Sequence, residues 1–267
     1  MPDALEDAAV SSVARAPFEP AEVRIEPFGP RVRGVLDGET IVDSDRTLLM
    51  FEVDHLPVYY FPIEDVRMDL VEASEHTTSC PRKGTASYQS VHVGERLAEN
   101  AVWRYKEPIE GCPDISGHVA FYWNALDSWW EEEDEVFVHP RDPYHRVDVL
   151  RSSREIRVVL NGETVAESTS PLLLFETALP TRYYLPRADV RPELLRTSDT
   201  VTRCPYKGIA TYYSVEAGGT VHDDLAWSYP APIPECSKIE QAVCFHNEHV
   251  DLYVGGELQD RPQTHWS

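Results

Sequence analysis

Cysteine is scarce and odd in number: five in 267 residues, with no Cys-x-x-Cys anywhere. A set like this is no disulfide framework and fits a reducing compartment. No apolar stretch approaches the roughly 18 residues that a membrane helix needs, and no basic segment followed by an apolar one opens the chain. The expectation is a cytoplasmic protein with no membrane partner. Positive charge is also in short supply, with 24 Lys and Arg against 46 Asp and Glu and a net charge of −22. A field of that sign repels phosphate backbones, and no basic cluster offsets it, so no nucleic acid is expected as a partner. A Walker-type loop, a Gly-x-Gly-x-x-Gly turn and a Gly-Ser turn followed by Asp-x-Asp are all missing, which removes the familiar triphosphate cradles.

What is present is a duplication. Hydrophobic residues make up 42% and aromatics 10% of the chain, enough for packed cores. Shifted by 124 residues, the sequence falls on itself without a gap: across 36–125, 35 of 90 positions are identical. Leu36-Asp37-Gly38-Glu39-Thr40 meets Leu160-Asn161-Gly162-Glu163-Thr164, and Cys80-Pro81-Arg82-Lys83-Gly84 meets Cys204-Pro205-Tyr206-Lys207-Gly208. Each unit is long enough for its own core, so this is a tandem pair and not a solenoid. The organisation reads as a loose, acidic, Ala-rich arm at 1–21, a first domain at 22–135, a Pro/His/Arg connector at 136–146 and a second domain at 147–260.

Short strands with turn punctuation dominate both halves. Asp37-Gly38 and Asn161-Gly162 supply the positive φ of two-residue hairpins. Strands are expected at 31–36, 40–42, 48–52, 58–61, 85–93, 102–105 and 118–123, with counterparts in the second half, and a last hairpin at 242–246 with 250–254. One short helical turn is expected per half, at 64–71 and 188–195. The fold class is therefore all-β: two tandem copies of a small antiparallel domain, each with one short helix.

The segments from Cys204 to Ser214, Ala226 to Pro230 and Val243 to Glu248, with their partners in the first copy, resemble the domain of unknown function DUF427. The whole chain except the arm resembles two-domain members of that family. The resemblance implies a compact, coiled antiparallel sheet, similar to the β-tent group. The family also carries a nucleotidyltransferase label, but the motifs such enzymes use are absent here.

Several constellations carry chemistry. Lys83 and Lys207 sit in repeated Pro-x-Lys-Gly turns, where glycine permits close backbone approach, and Arg67 and Arg191 could add a bidentate grip on an anion. The alternative is that each cation pairs with an internal acid such as Glu52 or Glu176. Alternation puts Ala86, Tyr88 and Ser90 on one face and Ala210, Tyr212 and Ser214 on its copy, lining a pocket or packing a core. Cys80/Cys112 and Cys204/Cys236 recur, but no histidine recurs with them, so no metal site and no zinc are expected. Cys204 reads as structural, and the run from Glu131 to Glu135 reads as a solvated edge.

The connector holds His139, Arg141, Asp142, Tyr144, His145 and Arg146. It is a stiff linker clamping both domains, or a linker that also carries a site with His139, His145 and Asp142 as acid–base candidates. Three function classes remain open. The first-ranked is a binding protein for a small anionic or nucleotide-like ligand, held by Lys207, Arg191, Tyr212, Lys83, Arg67, Arg141 and Tyr144. The others are an enzyme using the connector and a protein-interaction module.

Overall fold

The computed structural model describes residues 23–264, so the segment read as an arm, 1–21, lies outside the described residues. Each half builds one seven-stranded and one four-stranded antiparallel sheet. The first large sheet runs in space Val23–Pro27, Leu48–Glu52, Val58–Pro62, His118–Phe121, Arg96–Tyr105, Gly84–Val93, Val71–Cys80. The second runs Val147–Arg151, Leu172–Glu176, Arg182–Leu185, Val243–Phe245, Thr220–Pro232, Gly208–Ala217, Leu195–Cys204. Strand order is the same in both, as a gapless repeat requires. The small sheets also match: Glu39–Ser44, Val32–Leu36, Ser128–Glu131 and Asp134–Val136 in one, Glu163–Ser168, Ile156–Leu160, Asp251–Val254 and Glu257–Leu258 in the other. The architecture is all-β.

Period-2 alternation decides what each strand delivers to which side. In Val58–Pro62, Tyr59 and Phe61 enter the core shared with the small sheet, whereas Tyr60 enters a second cluster on the opposite face. Gly84–Val93 does the same, sending Val91 and Val93 to the first core and Ala86 and Tyr88 to the second. The second copy repeats the division, with Leu185 in one cluster and Tyr184 in the other. The second face is the one that becomes a cavity.

The turns follow their residues. Asp37-Gly38 and Asn161-Gly162 all take positive φ, between 50° and 79°. Gly84 and Gly208 adopt φ of +101° and +103°, and a Cβ on Gly84 would meet Ile109 at 3.1 Å, so this turn requires glycine.

Three expectations need correction. The helical turn expected at 64–71 and at 188–195 is in each copy two 3-10 turns, Ile63–Asp65 with Met68–Leu70 and Arg187–Asp189 with Pro192–Leu194, with a backbone bridge to the neighbouring strand between them. Each copy has one more such turn, Trp123–Ala125 and Pro234–Ile239. The hairpin at 242–246 and 250–254 does not form. Val243–Phe245 pairs within the large sheet, while Asp251–Val254 pairs with Ile156–Leu160 in the small one. The segment between them crosses from sheet to sheet. Glu131 is not part of a solvated edge: it is buried, accepting from Tyr59 Oη at 2.5 Å and from Arg141 Nη2 at 2.8 Å. Among the described residues, no helix is long and apolar enough to cross a membrane.

Candidate functional site

Each large sheet cradles a cavity at the same place. In the first copy Glu52, Tyr60, Lys83, Tyr88, Trp103 and Tyr105 line it, and in the second Glu176, Tyr184, Lys207, Tyr212, Trp227 and Tyr229 do so at the 124-residue offset. The volumes are about 530 Å³ and about 310 Å³. Internal geometry is repeated as well. Trp103 Nε1 donates to Tyr60 Oη at 3.3 Å and Trp227 Nε1 to Tyr184 Oη at 3.0 Å. Tyr88 and Tyr212 each share a 3.0 Å hydroxyl contact with Thr78 and Thr202.

At the floor lies a lysine–glutamate pair. Lys207 donates to both oxygens of Glu176 at 2.6 Å, and Lys83 pairs with Glu52. Burial works against the Lys207 charge, but Cys204 and Glu176 beside it hold its pKa above the ordinary lysine value. The second partner of the carboxylate differs between copies. Arg82 reaches Glu52 at 3.0 Å in the first. In the second, Tyr206 replaces that arginine, and the connector's His145 stacks on its ring at 4.1 Å and meets Glu176 at 3.0 Å.

The residues in and behind the walls diverge more. Val58, Ser79, Tyr122 and Asn124 of the first copy correspond to Arg182, Arg203, His246 and Glu248 of the second. Arg182 and Glu248 form a buried two-point ion pair with both contacts at 2.7 Å. Burial opposes the Glu248 charge, yet hydrogen bonds from Arg182 and Thr264 bring its pKa down to about 2. His246 packs on Trp227 with ring centroids 4.6 Å apart. Burial, and after it Arg182, pushes the His246 pKa down to about 4.

A pH dependence follows. Unfolded, His246 titrates near 6.5; folded, near 4, so folding favours its neutral form. Stability is full above about pH 6.5 and falls toward pH 4, as the unfolded chain alone takes up the proton. With allowance for partial exposure, that window carries about 2–3 kcal/mol. Burial lowers the His118 and His139 pKa values too, so His246→Tyr should flatten the acid limb without abolishing it. Urea midpoints between pH 4 and 7 measure this, and an unchanged slope refutes the assignment.

The remaining sequence candidates are dispersed. Arg191 pairs at the surface with Glu163 and Glu193, and Arg67 with Asp69; neither lines either of these two cavities. Arg141 is the partner of Glu131, while Tyr144 donates to Glu26 at 2.8 Å and packs on Phe51. Asp142 serves the turn: its Oδ1 accepts from the Tyr144 amide, and its own amide donates to Tyr206 Oη at 2.9 Å. His139 lines the first cavity and His145 meets the second carboxylate, and both rings pack on Tyr206, whose hydroxyl accepts from the Asp142 amide. Ser90 and Ser214 accept from the amides of Asn100 and Asp224 and stay out of the cavity lining.

Cys80 and Cys112 pack against the same cluster. Burial pushes the Cys236 thiol up to about 11 and Cys244 up to about 12, which keeps both protonated and unreactive. Among the described residues, no three His, Cys, Asp or Glu side chains gather to hold a metal ion.

The sequence reading named Lys207 and Tyr212, which line the second cavity, and passed over Arg182, Arg203 and His246, which line it too, and Glu248, the partner of Arg182. The signal that reveals them is the difference between the copies. Residues 24–132 and 148–256 each match one family, described as a domain of unknown function (DUF427). No curated protein matches the chain.

Proposed function

From the premise that this chain belongs to the DUF427 family through both of its copies, we propose that it is a small-molecule binding protein whose second cavity takes an anionic ligand. One observation carries the reading. Arg182, Arg203 and Lys207 line that cavity against the single carboxylate of Glu176, whereas the first copy sets Lys83 against Glu52 and Asp54. In a chain of net charge −22, an anion is repelled at long range, so only short-range fixed donors can hold one.

Lys207 and Arg182 already have carboxylate partners and supply field more than free hydrogen bonds. Arg203 is exposed at the rim over the Phe137 ring, at 5.4 Å, and among the described residues no carboxylate pairs with it. It is the natural first contact, with the Trp227 and Tyr212 rings and the Tyr212 hydroxyl behind it. An aryl carboxylate or a nucleoside monophosphate matches this combination of cation and ring surface.

Calorimetry and thermal shift with benzoate, inorganic phosphate and AMP, against benzamide and adenosine as uncharged counterparts, test the reading. The anionic members should bind. Arg203→Gln should weaken them about 10- to 150-fold, the range for losing one charge-assisted contact, with the melting temperature unchanged. Failure of every anion to bind, or affinity indifferent to Arg203→Gln, sinks the proposal.

A further inference from the structure

We propose that the first-copy cavity is a separate site for a small organic cation, an alkylammonium with an apolar surface. It stands on the first copy's residues alone and does not depend on the second cavity holding an anion.

The walls are aromatic. Tyr60, Tyr88, Trp103, Tyr105, Tyr122 and Trp123 all face this space of about 530 Å³, ample for a small molecule. Trp103 and Tyr122 meet with centroids 4.7 Å apart, and Tyr88 lies nearly parallel to Tyr122, at 16° and 6.2 Å. The Tyr88 and Tyr122 hydroxyls are 3.3 Å apart, which fixes the two rings side by side. Ring faces carry the negative end of the aromatic quadrupole, and several faces turned on one space attract a cation.

The charges agree with the rings. Lys83 is occupied by Glu52, whose carboxylate also takes Arg82. Asp54 stands at the mouth, exposed, in a left-handed turn with φ of 62°, and among the described residues it forms no ion pair. Among the charged side chains lining this cavity, Asp54 is therefore the one without an ion partner. In the second copy the same turn position is Ala178, and Arg182 and Arg203 take the places of Val58 and Ser79. The net charge of −22 also concentrates cations near the mouth and repels anions from it. A neutral ligand would gain from the rings but nothing from Asp54 or the field.

Choline and its neutral isostere 3,3-dimethylbutan-1-ol separate these cases, read by tryptophan fluorescence and by ligand-observed saturation transfer at low salt. Choline should bind at least about tenfold tighter than the alcohol, and 0.5 M NaCl should weaken it. Tyr122→Ala removes a wall at a half-exposed position, and Asp54→Asn removes the charge while keeping a residue tolerant of positive φ. Each should lower choline affinity several-fold at unchanged melting temperature, while Arg203→Gln leaves it alone. Equal or tighter binding of the alcohol, no saturable choline binding, or indifference to both variants overturns the proposal. None of these outcomes bears on anion binding in the second cavity, which reports through Arg203.

Discussion

Arg182→Val should lower stability by about 3–5 kcal/mol, the cost of leaving a buried carboxylate without its partner. The Glu248 side chain is fully buried and that of Arg182 is 8% exposed, so the variant leaves the carboxylate buried without its guanidinium. Among the described residues Thr264, at 2.7 Å, is the other side chain that donates a hydrogen bond to the carboxylate. The first copy supplies the control, because Val58 and Asn124 occupy the matching positions. Adding Glu248→Asn to Arg182→Val recreates that solution and should recover at least half of the loss, because removing both charges removes the desolvation problem. Urea denaturation of the single and double variants measures both. A loss below about 1 kcal/mol in the single variant would mean the pair is hydrated and contributes little.

Lys207→Met should be the second large effect, and it should fall on stability before binding. Glu176 is 6% exposed at its side chain, and without Lys207 the side chain that meets it among the described residues is the ring of His145. A loss of about 3 kcal/mol is expected, at the lower edge of the range for breaking buried pairs, since His145 can still donate. Lys83→Met should cost measurably less, because Arg82 remains on Glu52. The comparison is internal: the lysines share a turn and a strand register, and differ in what stands behind the carboxylate. Thermal and urea unfolding of the two variants decide it. Equal losses would show that Arg82 and His145 are equivalent partners.

The repeat, most strands and the lysine turn were legible because they recur. Two copies at a fixed offset double the signal at Lys83/Lys207, Glu52/Glu176 and Tyr88/Tyr212. Pairing of each lysine with Glu52 or Glu176 is legible as one of two alternatives, and the geometry selects it. The long strands Val71–Cys80 and Leu195–Cys204 escape notice because they are largely exposed on both faces and show no alternation. Arg182, Arg203 and Glu248 escape for the opposite reason. They lie where the copies disagree, so a search for recurrence passes over them. Arg191 recurs as Arg67 but serves surface pairs, so recurrence marks shared architecture at least as often as a shared site.

The connector's contacts also bear on where the chain can be divided. Glu131 of the first repeat takes its counter-charge from Arg141, and Glu176 of the second takes a hydrogen bond from His145, whose ring also covers Tyr206. Both donors lie outside the matched segments 24–132 and 148–256. A first repeat trimmed at 132 strands a buried carboxylate against Tyr59, and a second begun at 148 strips a ring and a donor from Glu176. The repeat boundary and the boundary of an autonomous fragment are therefore different places. A single scission after Arg141 and before His145 is a division that leaves each acid with its partner.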